Sequence, residues 1–192
     1  MSVKLIDFQL AQAEIQRELA KLRGNKYATV GIHEDAGNTE DGAMTQAQLG
    51  ATLNFGADID HPGGTRYTRT ADGKARFISN DSTAPAIGVT GPHKINIPPR
   101  PWLIPGVESA TPDVIDTIAS GIEKGLATDQ IMEQVGAIAA GATQQYMTDL
   151  REPPNAKSTI AKKGSDNPLI DSGSLRASVT YKVTSTKPDE GI

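Results

Sequence analysis

The stretch from Asp166 to Val183 constrains the fold of this chain more than any other part of the sequence. It opens with Asn167-Pro168, which cannot continue a helix because proline lacks a backbone N–H and restricts the residue before it. Asp171-Ser172-Gly173 is typical of a turn, since Asp and Ser side chains bond the local backbone and glycine reaches positive φ. From Leu175 to Val183 apolar and polar residues alternate, which predicts a half-buried strand. We therefore expect a turn that leads into an amphipathic last strand.

One interpretation of this stretch is enzymatic. The segment Leu169-Ile170-Asp171-Ser172-Gly173 resembles the signature of aspartic proteases, in which a carboxylate in a tight turn shares a proton with a second carboxylate. The chain has no second Asp-Ser-Gly or Asp-Thr-Gly segment, and only one predicted strand and a short polar tail follow Gly173. An aspartic-protease-like hydrolase that uses Asp171 is therefore kept as an alternative, and the prediction is that the protein is not an enzyme.

A second resemblance is structural. Residues 167–183, preceded by 158–164, resemble the end of tailed-bacteriophage neck and tail-completion proteins of the type of minor tail protein Z, which close with T-x-x-x-K-G and then L-I-D-T-G-x-L-x-x-S-I. Residues 97–103 resemble the phrase I-P-x-R-P-F-L that those proteins carry in mid-chain. Leu53-Asn54-Phe55-Gly56 is close to their phrase N-E-F-G, without its acidic residue. Along the chain, the first phrase is at 53–56, the second at 97–103 and the third at 158–183, which is the order that they have in that family.

The resemblance implies a structural virion protein that forms a ring at the head-proximal end of the tail and joins tail to head. It implies a homo-oligomer, a hexameric ring with a dodecamer as the alternative. Its expected partners are other neck and tail proteins: the head–tail connector or adaptor, the tail terminator and the tail tube. DNA passing through the lumen is a further contact that it leaves open, without sequence specificity. The expected location is the neck of the virion, after synthesis in the cytoplasm of a bacterial host.

Composition limits the remaining classes of function. The 192 residues include no cysteine, which excludes disulfides and Cys-based metal sites. No apolar run has the length of a membrane span, and the N-terminus has no signal-peptide pattern, so we expect no membrane contact and no export. No set of residues supplies a nucleophile with its base, a pair of carboxylates or a metal cage. We therefore predict no catalytic residue, no cofactor and no metal.

Charge is distributed in alternating blocks along the chain. Residues 27–65 have six acids and no Lys or Arg, 66–106 have six bases and two acids, 107–152 have eight acids and two bases, and 153–192 have six bases and four acids. Such blocks suit head-to-tail contacts between identical subunits, where an acidic patch meets a basic one. Ordinary solvated faces are the alternative interpretation.

Patterns along the chain predict an α+β fold: a small, mainly antiparallel sheet packed against helices, with an inserted β-hairpin arm. We expect one domain over 1–192, with the arm at about 57–92 and a flexible tail at about 184–192. Helical spacing, caps and stops predict helices at about 7–23, 45–54, 111–126, 128–150 and 158–163. Strands are predicted at 27–33, 66–70, 74–78 and 94–97, with loops at 58–64 and 79–92.

The arm supplies most of the candidate functional residues. Two short strands flank Ala71-Asp72-Gly73, which is a strong hairpin signal. Because an isolated hairpin is marginal in water, we expect another subunit or the sheet to support it. The predicted contact residues are Arg66, Tyr67, Arg69, Lys74 and Arg76. Their basic and aromatic character leaves contact with nucleic acid as an alternative.

Two further candidates lie in the proline-rich segment. The prolines around Arg100 make a stiff, extended stretch, and Trp102 is the only tryptophan of the chain. A lone tryptophan anchors either the core or a subunit interface, and the two roles are compatible. Arg100 is expected either to pair with an acid across a subunit boundary or to be solvated.

Overall fold

The structure, a computed structural model, describes residues 25–188. The helix expected at 7–23 and the last residues of the expected tail lie outside this range. Its helices are α1 (Gln46–Phe55), α2 (Leu103–Ser109), α3 (Thr111–Glu123), α4 (Thr128–Asp149), α5 (Lys157–Lys163) and α6 (Ser174–Ala177). Its strands are β1 (Tyr27–Ile32), β2 (Ala57–His61), β3 (Arg66–Arg69), β4 (Ala75–Phe77), β5 (Gly88–Val89), β6 (His93–Ile97) and β7 (Val179–Thr184). The α+β class with small antiparallel sheets is confirmed.

The strand β1 pairs with β7, which lies more than a hundred residues later in the chain. The pair is antiparallel, with a register that runs from Tyr27 opposite Thr184 to Ile32 opposite Val179. Helix α4 packs across both strands. This packing is close because Gly136 has no side chain: a Cβ there would run into the ring of Tyr181.

The core lies between this pair and the helices around it. Its five buried members are Trp102, Met147, Leu169, Leu175 and Val179. Partly buried side chains of β1, α1, α2 and α4 pack against them. The core therefore joins the proline-rich segment to the final turn and strand.

The last strand begins later than the alternation predicts. Gly173 has φ near +91°, and the chain then makes the helical turn α6 before β7 starts at Val179. Ser178 closes this turn by donating its hydroxyl hydrogen to the Leu175 carbonyl at 2.7 Å. Leu175 and Val179 are both buried, and a spacing of four residues fits one side of a helical turn. Alternation over so few residues therefore did not distinguish a turn from a strand.

Besides α6, three of the helices and strands named above were missed by sequence reasoning. Strand β2 was expected to be loop, because it is short and its two aspartates, Asp58 and Asp60, are disfavoured in strands. Strand β5 has only two residues and lies in a stretch expected to be a flexible connection. Helix α2 follows Trp102 without a side-chain cap, so its start has no sequence signal.

Candidate subunit interface

The arm consists of residues 57–97, slightly more than the sequence predicts. Its stem is the antiparallel pair of β2 and β6, which runs from Ala57 opposite Ile97 to His61 opposite His93. Its outer part is a three-stranded sheet in the order β4-β3-β5. The predicted hairpin is confirmed, and β5 supports it as a third strand. The core cluster has no member in the arm.

Two of the predicted contact residues hold the arm itself together. The Arg66 guanidinium donates to the carbonyl oxygens of Asn80, Ser82 and Ala84 at 3.0, 2.9 and 3.1 Å, so it fixes the loop before β5. The ring of Tyr67 lies over Gly88, where a Cβ would come within 2.7 Å of the phenolic oxygen. Both side chains are half-buried, and their main role is internal to the arm.

The other three predicted arm residues are exposed. Lys74 pairs with Asp72 at 2.9 Å, and this ammonium and the Thr70 hydroxyl lower the pKa of the Asp72 carboxyl. Within residues 25–188, Arg69 and Arg76 have no ion-pair partner. The arm thus presents at least two uncompensated positive charges to its surroundings.

The arm also exposes apolar side chains that sequence reasoning did not assign to a subunit interface. Phe77 is 66% exposed, Ile87 56% and Val89 61%. The signal available for the last two was a pair of β-branched residues within an otherwise polar connection. Exposed apolar and basic side chains on one small sheet are a typical composition for a protein contact surface.

The prediction that Arg100 and Trp102 lie on a subunit interface is corrected by their burial. Arg100 is only 5% exposed and Trp102 only 3%. The Trp102 indole N–H donates to the Gly50 carbonyl at 3.1 Å, and its ring belongs to the core. Arg100 donates Nε–H to the Pro153 carbonyl at 2.9 Å and Nη2–H to the Pro154 carbonyl at 3.2 Å. Both side chains are therefore used inside the subunit.

The turn before β7 is held by a different residue from the one that the sequence suggests. We expect from the sequence that the Asp171 carboxylate accepts backbone N–H groups, but Asn167 does so. Its Oδ1 accepts from the N–H of Leu169 at 2.8 Å and of Ile170 at 2.9 Å. Its amide group donates to the Thr148 carbonyl at 2.8 Å, which ties the turn to α4. Asn167 is buried, whereas Asp171 is exposed.

Asp171 lines a shallow groove of about 350 Å³ together with Glu40 and Asp41. The Asp41 carboxylate is bonded within its own loop, where it accepts hydrogen bonds from the Thr39 hydroxyl at 2.6 Å and the Ala43 N–H at 3.1 Å. These hydrogen bonds lower the pKa of Asp41.

Residues 25–188 contain neither a metal-binding cluster nor a membrane-spanning helix. No three His, Asp or Glu side chains there are grouped so that they could hold a metal ion. No helix in the same range combines the length and apolar character needed to cross a bilayer. Comparison of the chain with protein-family models, curated proteins and solved structures found no match.

Proposed function

We propose that the protein is a structural component of a tailed-phage particle, a tail-completion or neck protein. It forms a ring at the head-proximal end of the tail and joins tail to head. The support is the resemblance of three separate phrases to that class of protein, combined with the way these phrases meet in the fold. The rest of the proposal, including the sixfold symmetry and the neck partners, follows from the resemblance.

The segment 53–56 meets the segment 97–103 through hydrogen bonds and a close backbone approach. The Asn54 side-chain oxygen accepts from the N–H of Trp102 at 3.0 Å and of Leu103 at 3.3 Å. Gly56 has φ near +75°, and a Cβ there would lie 2.7 Å from the Ile97 carbonyl oxygen. Only glycine fits such a backbone at such a distance. Residues that match the family's phrases are therefore the ones that join these two segments.

The third phrase meets the second in the core. Trp102 packs in the same buried cluster as Leu169, Leu175 and Val179. Phrases that are more than sixty residues apart thus form one continuous set of contacts. This convergence is the observation on which the proposal rests, because the three matching segments form one connected unit of the fold.

The proposal is tested in assembled phage particles that carry a small tag at the C-terminus of this chain. Imaging should show the tag as a symmetric ring between head and tail, sixfold about the tail axis. A parallel particle with the same tag on a tail-tip protein serves as the control for labelling. Particles made without this chain should accumulate as separate heads and tails. Label at the tip or inside the head, or a single copy per particle, would contradict the proposal.

A further inference from the structure

We infer that the arm of one copy docks on the exposed face of helix α3 in a second copy of the same chain. The contact is head-to-tail, between two different surfaces. The inference rests on the proposed ring only in that both require contact between copies, and it names the two surfaces that meet.

The exposed face of α3 is unusually apolar. Ile115 is 59% exposed, Ile118 37% and Ile122 44%. Their spacing of three and four residues places them on one side of the helix. Val107 of the preceding helix α2 is 36% exposed, and it lines a groove with Ile115. A row of three exposed isoleucines on one helix is a surface that a partner would cover.

The same helix is acidic. Helix α3 contains Asp113, Asp116 and Glu123 and no Lys or Arg. All three carboxylates are exposed, and none of them has an ion-pair partner within residues 25–188. The spacing of Asp113 and Asp116 places them along one edge of the helix, and Glu123 continues this edge two turns later. The surface is therefore a row of apolar side chains beside a row of negative charge.

The arm has the complementary composition. The exposed Phe77 lies opposite Tyr67 and therefore shares one face of the outer sheet with the exposed Arg69, which has no ion-pair partner within residues 25–188. Val89 lies opposite Arg66 and shares the other face with Arg76. The docking face is the one that presents Phe77 and Arg69. Residues 66–78 contain four basic side chains and one acidic side chain. Apolar area can meet apolar area in this contact while the charges at its edges attract.

Charge also decides against symmetric contacts. Two arms in contact would bring arginines together, and two α3 helices in contact would bring carboxylates together, which is unfavourable in both cases. Of these three contacts, only that of the arm with α3 brings opposite charges together. A contact between two different surfaces leaves one arm and one α3 free at the ends of a pair, so it can continue and close into a ring.

The test uses two variants of the full chain that each remove one surface. Phe77→Glu removes the arm surface, and Ile115→Glu removes the α3 surface. Each variant alone should lose self-association, with a Kd raised about tenfold or more over that of the wild type. When the two variants are mixed, the intact arm of Ile115→Glu should dock on the intact α3 of Phe77→Glu. The resulting 1:1 complex should grow no further, because the other arm and the other α3 each carry a substitution. Sedimentation velocity should show this complex at twice the 20.2 kDa mass of one chain.

Two matched controls carry the same kind of change elsewhere. Phe55→Glu places a carboxylate on an exposed phenylalanine at the end of α1, and Glu40→Lys reverses a charge beside the acidic groove. Both should associate like the wild type. Asp116→Lys, a surface change that does not disturb packing, should act like Ile115→Glu and remain usable if the latter does not fold.

The outcomes separate this inference from the proposed ring. Rings that form normally from Phe77→Glu and from Asp116→Lys would overturn the docking inference and leave the ring proposal standing. The docking inference would also be overturned, and the ring proposal would stand, if each variant self-associated alone and the mixture gave no 1:1 complex. If Ile115→Glu lowered the unfolding midpoint without changing self-association, α3 would be covered by its own chain. This result would also overturn the docking inference. A wild type that forms no oligomer, alone or with tail tubes, would overturn both proposals.

Discussion

Arg100 is a buried cation that is balanced by carbonyl oxygens. Its Nη2 lies 3.4 Å from the Asn155 side-chain oxygen, in addition to its bonds to the two proline carbonyls. Desolvation lowers the pKa of its guanidinium, but an arginine remains protonated under such conditions. The planar guanidinium can hold neighbouring acceptors at once, so Arg100 fixes residues 153–155 against the segment that leads to Trp102.

We predict that Arg100→Met lowers the free energy of unfolding by about 2 kcal/mol or more, because the proline carbonyls would lose their donors inside the protein. Urea unfolding followed by tryptophan fluorescence measures this change. Arg69→Met, which removes an exposed arginine of the arm, should change the free energy of unfolding by less than about 0.5 kcal/mol. Equal effects of the two substitutions would show that the carbonyl contacts contribute nothing.

His33 connects the strands β1 and β7. Its Nε2 lies 3.2 Å from the Thr29 hydroxyl and its Nδ1 3.0 Å from the Thr180 hydroxyl. Desolvation, and then the charge of Lys182, lower the pKa of its imidazole below the ordinary value of 6.5. The unfolded chain therefore binds a proton more readily than the folded one, and stability should fall as pH decreases from about 6.5 toward the folded pKa.

We expect that His33→Gln removes part of this loss of stability on acidification while it keeps a polar side chain between the two threonines. Urea midpoints measured from pH 7.5 to pH 4.5 should decline less steeply in this variant than in the wild type. An identical decline in His33→Gln and the wild type would rule out His33 as its source.

Helix α4 contains two glycines that meet different surroundings. Gly136 is buried against Tyr181, where an added methyl group has no room. Gly141 lies on the exposed side, and an added Cβ would meet nothing within 4 Å. The contrast between them reports how closely the helix packs on β7.

We predict opposite effects of the same substitution at these two positions. Gly141→Ala should raise the free energy of unfolding by about 0.5–1 kcal/mol, because alanine favours a helix over glycine. Gly136→Ala should lower it by about 1–3 kcal/mol, because the methyl group would push the Tyr181 ring away. Thermal unfolding of the two variants measures these changes in stability. Stabilisation by both substitutions would show that α4 is not in close contact with β7.

The arm should be removable as one unit. The last pair of its stem, His61 and His93, lies opposite in the ladder, so a two-residue Asn-Gly turn can connect them in place of residues 62–92. Because the core has no member in the arm, the shortened chain should unfold at the same urea midpoint as the wild type. It should also lose self-association. A shortened chain that does not fold would show that the outer sheet contributes to the core.

Elements with a local chemical signature were predictable, and those fixed by distant contacts were not. Thr45 caps α1 through a capping box with Gln48, and Gly56 ends the helix, so its bounds could be predicted to within one residue. The pairing of β2 with β6 joins segments more than thirty residues apart, and the polar side chains of β2 hide it. The burial of Arg100 could not be predicted either, because its acceptors are backbone carbonyls, which do not depend on residue type.

The ion pairs among residues 25–188 contribute little to the stability of the folded chain. The ion pairs described between side chains, such as that of Lys94 with Asp60, lie at exposed positions, except that Lys26 in the pair with Asp129 is half-buried. The alternation of acidic and basic blocks along the chain therefore has little effect on the stability of one subunit. In the proposed ring, these blocks would act between subunits.

This arrangement predicts that salt separates association from folding. Raising sodium chloride from 0.1 M to 1 M shortens the screening length from about 10 Å to about 3 Å. Attraction between the arm and α3 should weaken, and the Kd of self-association should rise about tenfold, since a few exposed charge pairs contribute about 1–2 kcal/mol together. The contact should persist in part, because its isoleucines and Phe77 still exclude water. The urea midpoint of the monomeric Phe77→Glu variant should stay nearly constant over the same range. Sedimentation velocity at several salt concentrations measures the first effect, and tighter association at high salt would show that apolar burial alone drives assembly.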